Sequence, residues 1–202
     1  MEVNVLIIDN FYQDPDKVRE FALNQEFGVR GNYPGNRTKS FLDDELKHYI
    51  NKLISPHDGE IVYWGGNGDG ENYTGAFQLT TSSDRTWIHA DSTTGWAGVC
   101  YLTPNAPHTG GTGLFRHKET GTYKAPKNEH GERMTDDEEP LSSMIGDYQD
   151  YTKWDLVDTV GNVFNRLVLY RGDIFHASLD YFGNDLESGR LFQTFFFSTE
   201  NP

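Results

Sequence analysis

The sequence contains a single cysteine, Cys100, in 202 residues. One thiol excludes an intramolecular disulfide and any zinc site built from several thiolates of one chain, and it suits a reducing compartment. Basic residues are also scarce, with 17 Lys and Arg against 31 Asp and Glu, a formal charge of -14. Such an average field repels phosphate backbones and anionic bilayers, so neither nucleic acid nor membrane is an expected partner. Long apolar runs are missing as well. No window approaches the ~20 residues needed to cross a bilayer, and residues 1–10 lack a basic stretch ahead of an apolar one, so a cytoplasmic location is expected.

What remains is a chain of ordinary globular composition, 36% hydrophobic and 14% aromatic, whose length suits one domain with a substantial core. Residues 1–60 read as a supporting strand and helices. The β-branched run 3–8 predicts a first strand, and Asp14 ahead of Pro15 predicts an N-cap and first turn, followed by apolar Val18, Phe21 and Ala22 at helical spacing. The glycine-rich stretch 28–38 predicts an irregular loop, and 43–53 a second helix. From residue 61 the character changes to short β-rich runs at 61–64, 76–81, 96–102, 166–170 and 191–198, separated by Gly, Asn and Asp. These predict an antiparallel β body over 61–202. Residues 118–150 are polar and aperiodic, and read as an insertion with the makings of a lid.

Chemistry concentrates at three places in that body. His89-Ala90-Asp91 follows the apolar pair Trp87-Ile88, and in an extended segment residues two apart project to one side. His176 follows an apolar strand and the turn Arg171-Gly172-Asp173. Two imidazoles and one carboxylate leave coordination positions open, as iron(II) oxygen chemistry requires and structural zinc does not. Arg190 opens the aromatic strand and shares a face with Phe192, Thr194 and Phe196. A cation on an apolar face needs an anion, and guanidinium grips a carboxylate through parallel charge-assisted hydrogen bonds. A salt bridge to Glu187 or Asp185 is the structural alternative.

The ordered succession of His89-x-Asp91, Tyr101-Leu102-Thr103-Pro104, Gly110-Gly111-Thr112-Gly113-Leu114-Phe115, Asn165 to Tyr170, His176 and Arg190 resembles the 2-oxoglutarate- and iron(II)-dependent oxygenases, nearest their prolyl-hydroxylase-like branch. The resemblance spans about residues 76–198. It implies an α+β chain, mainly β with flanking helices, folded as a cupin-like double-stranded β-helix or jelly roll. It further implies that His89, Asp91 and His176 hold Fe(II), and that Arg190, assisted by Tyr101, Thr194 and Gln78, binds the far carboxylate of 2-oxoglutarate. The 14 residues from His176 to Arg190 exceed the family's usual gap, and the turn-rich stretch 181–189 absorbs the difference.

The activity implied is hydroxylation of an unactivated C–H bond with 2-oxoglutarate and O2 as co-substrates, releasing succinate and CO2. Asp91 separates the chain from halogenating relatives, which lack the metal carboxylate, and Phe196 from base-repair relatives, which carry a second arginine there. The expected substrate is a small molecule or a peptide, a prolyl or other amino-acid side chain among them, and Arg85, Trp87, Trp96 and Arg116 are candidate contacts around the mouth. His108 and His117 are rival metal ligands. Two other readings stand beside this one: a cupin-like metal-dependent dioxygenase that needs no 2-oxoglutarate, and a non-enzymatic β-sandwich binding module.

Overall fold

The structure is a computed structural model that describes residues 2–29, 31, 33–65, 73–91, 94–134 and 136–200. Strand β1 (Val5–Ile8) leads into helix α1 (Pro15–Leu23), where the Asp14 side chain accepts from the backbone N–H of Lys17 as the N-cap. The loop expected at 28–38 contains a two-residue strand, β2 (Asn36–Arg37). Helix α2 (Asp44–Asp58) is capped by Asp43 and runs past the expected end at residue 53, through Pro56 to a Gly59 cap. Proline there removes one N–H near the helix end, which the apolar stripe of Leu46, Ile50, Leu53 and Ile54 outweighs by docking on the core.

The β body then follows as β3 (Ile61–Trp64), β4 (Phe77–Thr80), β5 (Trp96–Tyr101), β6 (Thr112–His117), β7 (Trp154–Val160), β8 (Leu167–Arg171), β9 (His176–Ser178) and β10 (Arg190–Thr199). It forms two antiparallel sheets. Seven strands make the larger one, in the order β1-β8-β5-β10-β4-β2 with β3 also paired to β10, and β7-β6-β9 make the smaller. This is the expected mainly β, double-stranded β-helix architecture. Neither β7 nor β9 stands out in the sequence: Asp155–Thr159 are exposed on an edge strand, and β9 is three residues long.

Three apolar clusters hold these layers together. On the outer face of the large sheet, Trp96, Cys100, Leu102, Leu167, Leu169, Leu191, Phe195 and Phe197 pack against Ala22 of α1 and Ile50 and Ile54 of α2. Between the sheets lie Ala97, Val99, Tyr101, Val168, Tyr170 and Phe192. The third cluster joins Phe115, Trp154, Phe175 and Ile88 to Ala125, Leu141 and Met144, the last two from helix α3 (Leu141–Gly146). Ala125, Leu141 and Met144 thus seat parts of the polar stretch 118–150 on the small sheet. Among the described residues no helix is long and apolar enough to cross a membrane.

Candidate metal centre

His89 and His176 face each other because their backbones pair. The His89 N–H donates to the His176 carbonyl at 3.0 Å, and the His176 N–H to the His89 carbonyl at 2.8 Å, an isolated antiparallel bridge between the two sequence motifs. Their rings lie 4.4 Å apart. Asp91 is held on the same side by its own N–H, which donates to the Gly172 carbonyl at 2.7 Å. Each imidazole turns Nδ1 toward the carbonyl two residues back, Trp87 at 3.3 Å for His89 and Ile174 at 2.8 Å for His176. That leaves Nε2 facing Asp91: 3.8 Å from Oδ1 for His89 and 3.6 Å from Oδ2 for His176. These separations are too long for hydrogen bonds.

The donor set suits a divalent metal ion. Ligand atoms of His89, Asp91 and His176 all lie within 4.8 Å of one another. Asp91 Oδ2 is buried with no hydrogen-bond partner among the described residues, the kind of orphaned acceptor that a native interior rarely tolerates. Burial pushes both histidines down to about 4, so each is neutral at pH 7 and able to offer a lone pair. Burial also pushes Asp91 up, with His89 and Arg133 opposing that shift. Arg133 reaches back from the insertion and donates to the Ala90 carbonyl at 2.9 Å, fixing the segment between two ligands. Neither rival histidine joins the group: His108 Nδ1 meets the Asn162 carbonyl at 3.1 Å, and His117 is sandwiched between Thr120 and Asp147.

The ligands open on a cavity of about 290 Å3 between the two sheets. Trp87, Gln78 and Thr194 line it, as do Tyr33, Arg37, Tyr73, Thr112, Tyr170 and Ser178, which carry no site assignment in the sequence reading. Tyr170 and Ser178 are within reach of strand alternation, each being two residues from an inward neighbour. Arg37 and Tyr33 carry no such signal, because they belong to an irregular segment brought in by the edge of the sheet.

Arg190 lies fully buried on the same face of β10 as Phe192 and Thr194. Its Nε donates to the Gly110 carbonyl at 2.7 Å and its Nη2 to the Gly111 carbonyl at 3.4 Å. The guanidinium sits over the Phe192 ring, 4.3 Å from its centroid, and 5.3 Å from that of Tyr101. Phe192 lines the cavity whereas Arg190 itself does not. Its Nη1 has no partner among the described residues, and the neighbouring Tyr101 hydroxyl shares a 2.7 Å hydrogen bond with Thr112. An unmatched buried cation beside two hydroxyls fits a carboxylate. No bond to Glu187 or Asp185 replaces it.

Three of the candidate substrate contacts lie elsewhere. Trp96 is fully buried on the outer face, donating to Asp58 at 2.7 Å and stacked on Phe197. Arg85 and Arg116 are exposed, Arg116 opposite Asp155 on the small sheet. Neither Arg85, Arg116 nor Trp96 lines the cavity, since β5 turns Ala97 and Val99, not Trp96, toward the barrel.

Solved structures share this fold. HygX from Streptomyces hygroscopicus, crystallised with nickel and 2-oxoglutarate bound, is similar at a TM-score of 0.54 and 12% identity, over 97% of this chain and 83% of that one. SnoN, a non-haem α-ketoglutarate-dependent epimerase from nogalamycin biosynthesis, gives 0.56 and 10%, over 97% and 78%. SnoK, a carbocyclase of the same biosynthesis and cofactor dependence, gives 0.54 and 11%, over 98% and 80%. At these identities the likeness establishes the double-stranded β-helix and nothing finer. No curated protein matches the sequence. A match that takes in residues 1–197 and both halves of the metal cluster places the chain in the family of unknown function DUF6445, to which it belongs.

Proposed function

We propose that this chain is a single-domain non-haem iron(II) oxygenase that uses 2-oxoglutarate and O2 to hydroxylate an unactivated C–H bond, releasing succinate and CO2. The observation that carries this reading is the convergence of His89, Asp91 and His176 beside a cavity, with the Asp91 Oδ2 atom buried and unpaired among the described residues. Iron(II) held there by these three side chains would use O2, with 2-oxoglutarate oxidised to succinate and CO2, to supply the oxidant for hydroxylating a C–H bond. The chain's own side chains do the rest. His89 and His176 stay neutral because they are buried, and their Nδ1 bonds to backbone carbonyls fix which nitrogen faces the metal. Asp91 gives the charge that three protein ligands need to hold a divalent ion while leaving other positions open. Arg190 and Tyr101, with Thr112, take the far carboxylate of the co-substrate, and Tyr170, Phe192 and Phe196 keep the cavity walls apolar. Trp87 is the substrate contact retained from the sequence.

An anaerobic titration tests this. Iron(II) is added to the purified protein, then 2-oxoglutarate, and the visible metal-to-ligand charge-transfer band of the chelate is expected to grow to one equivalent. A folded protein that retains no iron rules out the metal reading and leaves a binding module. One observation favours a second reading, a metal-dependent dioxygenase without 2-oxoglutarate: Arg190 already spends two of its nitrogens on backbone carbonyls and does not line the cavity. Iron retained without any band would select it.

A further inference from the structure

The inner face of the large sheet carries a second buried arginine, which the reading above leaves without a task. Arg37, on the edge strand β2, is 3% exposed and lines the cavity. Its Nε donates to Gln78 Oε1 at 3.1 Å, its Nη2 to the Tyr33 carbonyl at 2.9 Å, and its guanidinium lies over the Tyr73 ring, 4.6 Å from the centroid. The remaining nitrogen, Nη1, is buried with no partner among the described residues. Gly31 makes room for it: a Cβ at that position would come within 2.1 Å of Arg37 Nη1 and 2.8 Å of the Tyr73 hydroxyl. Only a residue without a side chain lets these two polar groups converge.

Buried guanidinium groups ordinarily meet a carboxylate, because an unpaired charge in the interior is costly. Arg37 meets none. Among the described residues the one carboxylate lining the cavity, Asp91, faces the two histidines. Nor is Arg37 redundant with Arg190. Register places Arg37 beyond Gln78, which pairs in turn with Phe192, so Arg37 stands two strands away from β10, with Val29 bridged to its other side. Arg190 lies on the opposite flank, beside Tyr101 of β5 and the turn before β6. One co-substrate has one far carboxylate, and the described residues include these two separated buried cations.

We propose that Arg37, with Tyr73 beside it, is a receptor for the carboxylate of the substrate, which is accordingly a small organic acid. Two free hydrogens on Nη1 and a neighbouring phenol match the two oxygens of a carboxylate. A phosphate dianion calls for further positive charge, and no other Lys or Arg among the described residues lines the cavity. Trp87, Tyr33 and Phe196 form aromatic walls for the body of such an acid. That the anion is the substrate rests on the oxygenase reading; that a carboxylate binds at Arg37 does not.

The test uses phenylacetate as probe and phenylacetamide as its uncharged control, at constant ionic strength, with thermal unfolding as the readout. Phenylacetate is expected to raise the Tm of the metal-free protein by about 2 °C or more at saturation, and the amide to leave it unchanged. The rise is expected to persist in Arg190→Met and in wild-type protein saturated anaerobically with iron(II) and 2-oxoglutarate, and to vanish in Arg37→Met. Iron(II)–2-oxoglutarate band titrations of Arg37→Met are expected to stay within about twofold of wild type, less than half a kcal/mol. The proposal is overturned by an absent rise in wild type, by an equal rise with the amide, or by a rise that survives Arg37→Met. A 2-oxoglutarate affinity weakened tenfold or more in Arg37→Met would instead make Arg37 the co-substrate anchor, which also overturns it. Should Arg37→Met not fold, Gly31→Ala displaces Nη1 by contact and is read the same way. If no band forms while the Arg37-dependent rise does, the oxygenase reading fails and the carboxylate site stands.

Discussion

Asp58 is a buried carboxylate against the helix-covered outer face of the large sheet, and Asp91 a partly buried one at its barrel side. Asp58 closes α2 and is saturated with donors: Arg171 Nη1 at 2.7 Å and Nη2 at 2.5 Å, Trp96 Nε1 at 2.7 Å and the Thr199 hydroxyl at 2.5 Å. Asp91 Oδ2 has no partner among the described residues, and one guanidinium nitrogen each of Arg37 and Arg190 is likewise unmatched on the barrel side, as Arg171 Nε is beside Asp58. Burial pushes both carboxyls up. At Asp58 the hydrogen bonds from Thr199, Trp96 and Arg171 outweigh it and hold the group below the usual carboxylate range, while at Asp91 burial prevails. The same residue type therefore does opposite work. Outside, the carboxylate is consumed in holding the helix layer to the sheet; inside, it is left available for ligands.

Substitutions at the two carboxylates should break that comparison most visibly. Asp91→Ala is expected to abolish iron(II) retention, a loss above about 100-fold, measured by anaerobic equilibrium dialysis. Without metal its Tm should match or exceed that of wild type, because an unpaired buried charge has been removed. Asp58→Ala should do the reverse, costing about 3 kcal/mol, read as a fall in Tm of roughly 6–12 °C, with iron retention unchanged. Parity of the two variants in thermal unfolding would erase the distinction. Next in size, Arg190→Met is expected to weaken 2-oxoglutarate binding by about 10- to 100-fold while iron stays bound, measured from the charge-transfer band. An unchanged affinity removes Arg190 from the co-substrate site.

The smallest effect is a pH dependence. Asp58 has a folded pKa below its unfolded one, so its contribution is present above the unfolded value and is lost as pH falls through the folded value. The Tm gap between wild type and Asp58→Ala should accordingly be constant from pH 7 to about 5 and close below about 4. A gap that widens on acidification would contradict the assignment.

Much of the scaffold is legible in the amino-acid sequence. The N-caps Asp14 and Asp43, the β-branched runs and the His-x-Asp spacing are local signals, readable because capping and strand alternation act over a few residues. Trp96 shows where such signals stop. Both faces of β5 are buried, so alternation separates Trp96 and Cys100 from Ala97, Val99 and Tyr101 without saying which set faces the barrel. Arg116 and Arg85 are close to the motifs in sequence only, and the strand and turn that carry them direct both to solvent. Arg37 belongs to a stretch whose glycines predict a loop, and its place at the cavity depends on pairing with β4, far along the chain.

From sequence alone come the candidate metal ligands and the class of fold, which rest on an ordered succession of motifs that resembles a known family, and the expectation of an anion beside Arg190, which follows from a cation on an apolar strand face. Tertiary structure decided which buried charges are matched and which are left open. Whether a guanidinium or a carboxylate finds a partner depends on atoms contributed by strands distant along the chain, and no local pattern encodes that meeting.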